Sequence, residues 1–163
     1  KWNQIFNTED KAEVEKQCHE QEMDFEWMPE DNLRITHRTP ATIKHPVSGE
    51  TVWYNHLQVF HPHGADVEYS YIHAHQQRSK TFFWKHFLNV MVKLKSITTQ
   101  PIDQSMNVLF GDGSPVPNSY VEHIQELIWK NIVILPWKKN DVIAVDNFST
   151  SHGRLPYEGK REI

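Results

Sequence analysis

Residues 146–163 read Asp-Asn-Phe-Ser-Thr-Ser-His-Gly-Arg-Leu-Pro-Tyr-Glu-Gly-Lys-Arg-Glu-Ile, and this stretch decides how the rest of the chain is interpreted. A predicted strand ends on Asp146 and an amide, and His152 follows within one short loop. Arg154 and Arg161 stand two and nine positions after that histidine. Imidazole binds metals and guanidinium binds carboxylates. The spacing therefore predicts a site for a metal and for the far carboxylate of a small diacid.

Upstream of this stretch the sequence predicts short strands separated by turns, with a few helices. Apolar residues recurring every three or four positions predict the helices, and β-branched or aromatic runs bounded by turn residues predict the strands. Residues 62–80 are predicted to be irregular. The chain is therefore expected to be a β-rich α+β protein. The predicted helices cover about 8–20, 79–95 and 118–130, and the predicted strands 25–27, 33–36, 41–44, 51–61, 132–135 and 142–145.

Composition bounds the class of protein. The 163 residues suffice for one domain or a large piece of one, and the net charge of −4 gives no reason to expect nucleic acid. Cys18 is the sole cysteine, which excludes a disulfide within the chain and favours a reducing, cytoplasmic location. Apolar runs fall short of the roughly 18 residues that span a bilayer, so we expect no membrane.

A resemblance spread along the chain gives the terminal motif its context. The chain resembles the C-terminal half of an iron(II)/2-oxoglutarate-dependent dioxygenase of the taurine dioxygenase and clavaminate synthase-like superfamily. No single matching piece is specific, but several in the right order are. The pieces are Trp2–Thr8 with the helix after it, His45–Asn55, Phe60–His61, Phe110–Val116, Trp137, Asp141–Val142, Asp146–Asn147, His152–Arg154 and Pro156–Arg161.

The resemblance implies a double-stranded β-helix, or jelly roll, with iron between its sheets. Residues 1–163 would form the C-terminal portion of a single domain, incomplete at both ends, with a helical insertion around 79–95. His152, which taken alone would more often be a packing or surface histidine, matches the distal iron ligand. Arg161 matches the arginine that pairs with 2-oxoglutarate, and Arg154 is a weaker candidate for that role.

The family's other two iron ligands form a His-x-Asp/Glu pair, which this sequence does not contain. Either these residues are part of a longer dioxygenase, which we favour, or they are a natural short form that lost two ligands. Half a jelly roll would expose apolar sheet at a cost of about 25 cal/mol per Å². We therefore expect the N-terminal half of the domain, or an oligomeric partner, to cover it.

Three further residues are candidates for contact with substrate. Asn55 and His56 lie in the middle of the predicted strand 51–61, so at least one of them would face the interior. Asp112, in Gly-Asp-Gly-Ser-Pro, could line the entrance, although capping of its own turn is the stronger expectation. Two His-x-His pairs favour a solvated loop, or adventitious binding of zinc or copper, through His61, His63, His73 and His75.

The resemblance implies oxidation, chiefly hydroxylation, of a small polar and amino-acid-like substrate by iron(II), 2-oxoglutarate and dioxygen. His152 would be the catalytic metal ligand. The alternative is a non-catalytic jelly-roll module that binds a partner through its aromatic surface, which the lack of a His-x-Asp/Glu pair would favour in a complete chain.

Overall fold

The computed structural model describes residues 1–99 and 106–156, which divide into two compact units, 1–41 and from 42 onward. The first unit begins with helices α1 (Trp2–Phe6) and α2 (Lys11–Glu20). Asp10 caps the second helix, because its carboxylate accepts the Ala12 N–H at 2.9 Å.

The core of this unit lies under α2. Val14 and Cys18 are fully buried on the face that the sequence predicted to be apolar. Burial, with a smaller contribution from Glu15, raises the pKa of the Cys18 thiol. Cys18 is therefore a packing residue and not a thiolate nucleophile.

Strands β1 (Asp24–Met28) and β2 (Asn32–Thr36) pair in an antiparallel hairpin across the turn at residues 29–31, as predicted. The indole N–H of Trp27 donates to the Glu15 carboxylate at 2.7 Å, and the same ring meets Trp2 edge to face at 5.3 Å. One aromatic side chain on the hairpin thus joins it to both helices of the unit.

The second unit opens with a smaller hairpin, formed by β3 (Thr42–Lys44) and β4 (Thr51–Trp53). The prediction of a strand through residue 61 is wrong, because the strand ends at Trp53. The Asn55 side-chain oxygen accepts the Leu57 N–H at 2.8 Å, and helix α3 (Leu57–Phe60) begins there. A short polar side chain that satisfies a backbone N–H in this way diverts the chain from extended structure.

Residues 62–80 were predicted to be irregular, and this is also wrong. Helix α4 spans Gly64–Gln76 and packs against two later helices, α5 (Ser79–Thr98) and α6 (Asn118–Asn131), which were both predicted. The Trp129 indole joins α6 to α4, since it stacks on Tyr71 at 5.7 Å and donates to Glu68 at 3.2 Å. Packing between helices therefore stabilises a segment whose own apolar pattern is weak.

Residues 138–141 form a turn that two hydrogen bonds close. The Lys138 N–H donates to the Asp141 carboxylate at 2.8 Å, and the Asp141 N–H donates to the Lys138 carbonyl at 3.1 Å. The flanking segments, 132–135 and 142–145, were predicted to be strands but are not strands. A strand requires a paired neighbour, and among residues 1–99 and 106–156 neither segment has one. Apolar side chains there are consequently exposed, Val133 by 78% and Val142 by 92%.

The fold is therefore α+β with small antiparallel sheets, and its described ranges hold more helix than the expected β-rich chain. Two separate two-stranded sheets are formed there, so a double-stranded β-helix remains an expectation. None of the helices in the described ranges has the length and apolar character that crossing a membrane requires.

Candidate functional site

A turn that begins at Asp146 immediately precedes the candidate metal ligand His152 in the chain. The Asp146 carbonyl accepts the N–H groups of Ser149 and Thr150 at 3.3 and 2.9 Å. Its carboxylate accepts the Phe148 N–H at 3.0 Å and the Ser149 hydroxyl at 2.9 Å. Asp146 thus closes the turn through both its backbone and its side chain, and His152 follows two residues later.

This turn is joined to the β3–β4 hairpin by one long-range contact. His45 Nε2 lies 2.8 Å from Asp146 Oδ2, across 101 positions of sequence, and the imidazole is only 11% exposed. Hydrogen bonds from the Phe148 backbone, His45 and Ser149, in that order of effect, lower the pKa of the Asp146 carboxyl. The carboxylate is therefore held in its charged, accepting form.

Aromatic packing strengthens the same junction. The Phe148 ring meets His45 edge to face at 5.8 Å and stacks on Tyr54 at 6.1 Å, with 18° between the ring planes. His45 directly follows β3 and Tyr54 directly follows β4, so the turn before His152 packs against residues next to both strands of the small hairpin. Neither Phe148 nor the pairing of His45 with Asp146 was predicted from sequence, since no local pattern links residues so far apart.

The candidate metal ligand, His152, has an accessible side chain. His152 is exposed and has no hydrogen-bond partner among the residues that the structure describes. An imidazole in this state can bind a metal through either ring nitrogen, so His152 fits one ligand position. Arg154 is exposed on the same segment, and Arg161 lies outside the described residues.

The three candidate substrate residues differ in their local roles. Asn55 lies after β4 and not within a strand, and its side-chain oxygen accepts the Leu57 N–H in the turn that precedes α3. His56, at the N-terminal boundary of α3, is exposed. Asp112 accepts the backbone N–H and the hydroxyl of Ser114 at 2.9 and 2.6 Å, so its carboxylate does cap its own turn.

The two His-x-His pairs lie on helices and their junction and not in a solvated loop. His61 is buried with Nε2 3.0 Å from the Val116 carbonyl oxygen, and Nδ1 accepts the His63 N–H. His63 lies 2.9 Å from Glu122, and His73 lies 3.1 Å from the Thr81 hydroxyl. Within residues 1–99 and 106–156, His, Cys, Asp and Glu form no group of three that could hold a metal.

Burial lowers the pKa of His61, an effect that outweighs the opposite influence of its hydrogen bond to the Val116 carbonyl. The neutral ring can donate from Nε2 to that carbonyl and accept at Nδ1, so both nitrogens are satisfied without a charge. His61 is therefore a structural residue at the α3–α4 junction, and a neutral core histidine of this kind has no free nitrogen for zinc or copper.

Comparison with known proteins identifies the family of the chain. The chain belongs to the taurine catabolism dioxygenase TauD, TfdA family, which it matches over residues 2–163. This family is part of the non-heme iron and 2-oxoglutarate oxygenase superfamily. The resemblance inferred from the sequence motifs is thereby confirmed.

Two relatives define the extent of the similarity. The chain is 27% identical to the dapdiamide synthesis protein DdaC of Enterobacter agglomerans, over 99% of this chain and 43% of that protein. It is 24% identical to a clavaminate synthase-like protein of Arabidopsis thaliana, over 99% of this chain and 39% of that protein. The chain thus spans about two fifths of the length of the curated relatives it matches. No solved structure matches it.

Proposed function

We propose that the protein containing these residues is an iron(II)- and 2-oxoglutarate-dependent oxygenase that hydroxylates a small polar, amino-acid-like substrate. One observation supports this proposal: His152, which the sequence resemblance matches to the distal iron ligand, is an exposed imidazole that follows an anchored turn. When bound, iron with 2-oxoglutarate supplies the oxidation of an unactivated C–H bond, with succinate and carbon dioxide as co-products.

His152 would hold one of the three positions of a two-histidine, one-carboxylate site, which leaves the remaining positions for a chelating 2-oxo acid and dioxygen. The 163 residues contain no His-x-Asp/Glu pair, so the proposal assigns the other two ligands to sequence outside them. Arg161 would pair with the distal carboxylate of 2-oxoglutarate, because a planar guanidinium binds a carboxylate through two hydrogen bonds. Arg154 is the second candidate for that contact.

The proposal includes a jelly roll completed by residues outside this chain segment or by an oligomeric partner. The apolar side chains of 132–135 and 142–145 support it, because they are exposed in the described residues and have β-strand composition. Pairing of these segments with additional strands would bury them and would bring a sheet up to the loop that carries His152.

The proposed substrate class rests on the family and on the names of the relatives, one of which refers to dapdiamide synthesis. Of the three substrate candidates, Asn55 and Asp112 already use their side-chain oxygens in their own turns. His56 is exposed and is therefore the strongest of the three for a contact with substrate.

The test is replacement of His152 by Ala in the intact protein, with measurement of iron binding and of 2-oxoglutarate-dependent succinate formation. His123→Ala is the matched control, because His123 is an exposed histidine on α6 whose side chain is 68% accessible. We expect His152→Ala to abolish both signals and the control to retain them. Full turnover in His152→Ala would contradict the assignment.

The alternative function is a non-catalytic module that binds a partner through an aromatic surface. Phe82, Phe83 and Phe87 on α5 are exposed by 53, 61 and 43%, which agrees with such a surface. The same experiment separates the two functions, since an intact protein that binds neither iron nor 2-oxoglutarate, with or without His152, would be such a module.

A further inference from the structure

His45 has a tautomer that its hydrogen bonds determine. Its Nδ1 accepts the backbone N–H groups of Val47 and Ser48, at 3.2 and 3.0 Å, within the turn that joins β3 to β4. A nitrogen that accepts two N–H donors carries no proton, so the proton resides on Nε2. His45 therefore donates from Nε2 to Asp146 Oδ2, and the direction of this 2.8 Å hydrogen bond is fixed by the turn.

The acceptor is equally constrained. Asp146 Oδ1 accepts the Phe148 N–H, and Oδ2 receives both the Ser149 hydroxyl and His45. The Asp146 carboxylate thus links the 146–150 turn to the His45 imidazole. The chain reaches His152 only two residues beyond this turn, so the His152 backbone lies within about 7 Å of the end of the turn.

We propose that His45 is a positioning residue for the metal site, acting through Asp146 to fix the loop that presents His152. This inference rests on the proposed function, because it assigns His45 a role toward the iron that His152 would bind. Fixing backbone dihedral angles before metal binding removes an entropic cost from the binding step. Residues that orient metal ligands typically change metal affinity by about 10-fold to 100-fold when they are replaced.

Two substitutions at residue 45 separate the roles of its two nitrogens. In His45→Asn the side-chain oxygen can still accept the Val47 and Ser48 N–H groups, but no donor reaches Asp146. In His45→Gln the longer amide can still donate to Asp146. Asp146→Asn tests the same contact from the other side, since it can keep an acceptor for Phe148 while it turns an N–H₂ toward the His45 donor.

The assay measures the affinity of the intact protein for Mn²⁺ by calorimetry in the presence of 2-oxoglutarate. The melting temperature of each variant is measured in parallel. We expect about 10-fold weaker Mn²⁺ binding in His45→Asn and Asp146→Asn, near-normal binding in His45→Gln, and loss of binding in His152→Ala. A merely structural contact would lower the melting temperature and leave the Mn²⁺ affinity of the folded protein unchanged. Asp146→Asn alone decides the question if His45→Asn does not fold.

The possible outcomes distinguish the two proposals. If the wild-type protein binds Mn²⁺ and His152→Ala does not, but His45→Asn and Asp146→Asn bind within about twofold of wild type, the positioning role is refuted and the proposed function stands. If wild type and His152→Ala bind Mn²⁺ equally, or neither binds it, both proposals are refuted. His123→Asn serves as the exposed-histidine control and should match wild type.

Discussion

Gly64, the first residue of α4, should not tolerate even a methyl group. A Cβ at this position would overlap the Gln58 carbonyl oxygen and lie 2.9 Å from the Gln58 carbonyl carbon. Nonbonded carbons sit at about 3.5–4.0 Å, so Gly64→Ala must open the α3–α4 junction by roughly 1 Å. That movement also strains the hydrogen bond from the Gly64 N–H to the His61 carbonyl, which measures 2.8 Å.

The expected magnitude follows from these contacts. Overpacking costs about 1–3 kcal/mol, and the strained hydrogen bond contributes about 1 kcal/mol. Alanine offsets about 1 kcal/mol of this because it is a better helix former than glycine. The free energy of unfolding should therefore fall by about 2 kcal/mol in Gly64→Ala.

Urea unfolding of the intact protein provides the assay. With a slope of about 2 kcal/mol per M, the midpoint should fall by about 1 M in Gly64→Ala. Gly111→Ala is the matched control, because a Cβ on Gly111 has no atom within 4 Å, and it should stay within about 0.5 kcal/mol of wild type. Equal midpoints for the two variants would refute the reasoning about the α3–α4 junction.

Two further predictions concern stability and assembly. Because the pKa of His61 is lowered in the folded state, the unfolded chain takes up its proton first, and the free energy of unfolding should decrease as pH falls below about 6.5. His61→Gln should flatten this dependence in urea titrations at several pH values, and an unchanged slope would contradict the assignment. Residues 1–163 expressed alone should be aggregated or oligomeric, because residues such as Val133 and Val142 are exposed. A monodisperse, cooperatively melting monomer in analytical ultracentrifugation would contradict this.

Elements stabilised by local patterns could be predicted from the sequence. Helix α5 has apolar residues at helical spacing, and the hairpins have turn residues between β-branched or aromatic arms, so their types were correct. The prediction failed at residues 54–61, where the composition favours a strand. There the Asn55 side chain accepts the Leu57 N–H in a turn before α3, and such a local hydrogen bond competes with the strand propensity of the aromatic residues.

Elements that depend on distant partners could not be predicted. Helix α4 has a weak apolar pattern and is stabilised by contact with α5 and α6. The apolar segments 132–135 and 142–145 have strand composition, but a strand also needs a neighbour, which composition does not supply.

In the candidate site, too, local features could be predicted from the sequence and long-range contacts could not. His152 could be proposed from sequence because a short motif carries it, and its role as a metal ligand stays a prediction. His45 and Asp146 are individually visible in the sequence, in His-Pro and Asp-Asn steps, but their 2.8 Å contact is not. Tertiary structure alone shows that the turn before His152 is anchored to a hairpin.

The separation of His45 and Asp146 also has a consequence for the order of folding. Closing a chain loop of 101 positions costs an entropy equivalent to roughly 4 kcal/mol, whereas helix pairs such as α4 and α5 close over a few residues. Contacts between sequence neighbours form early and long-range contacts form late. The helices should therefore collapse before the His45–Asp146 hydrogen bond forms, and the loop bearing His152 should acquire its final orientation among the last events of folding. If the proposed metal binds at His152, it would bind after the helices described here have formed.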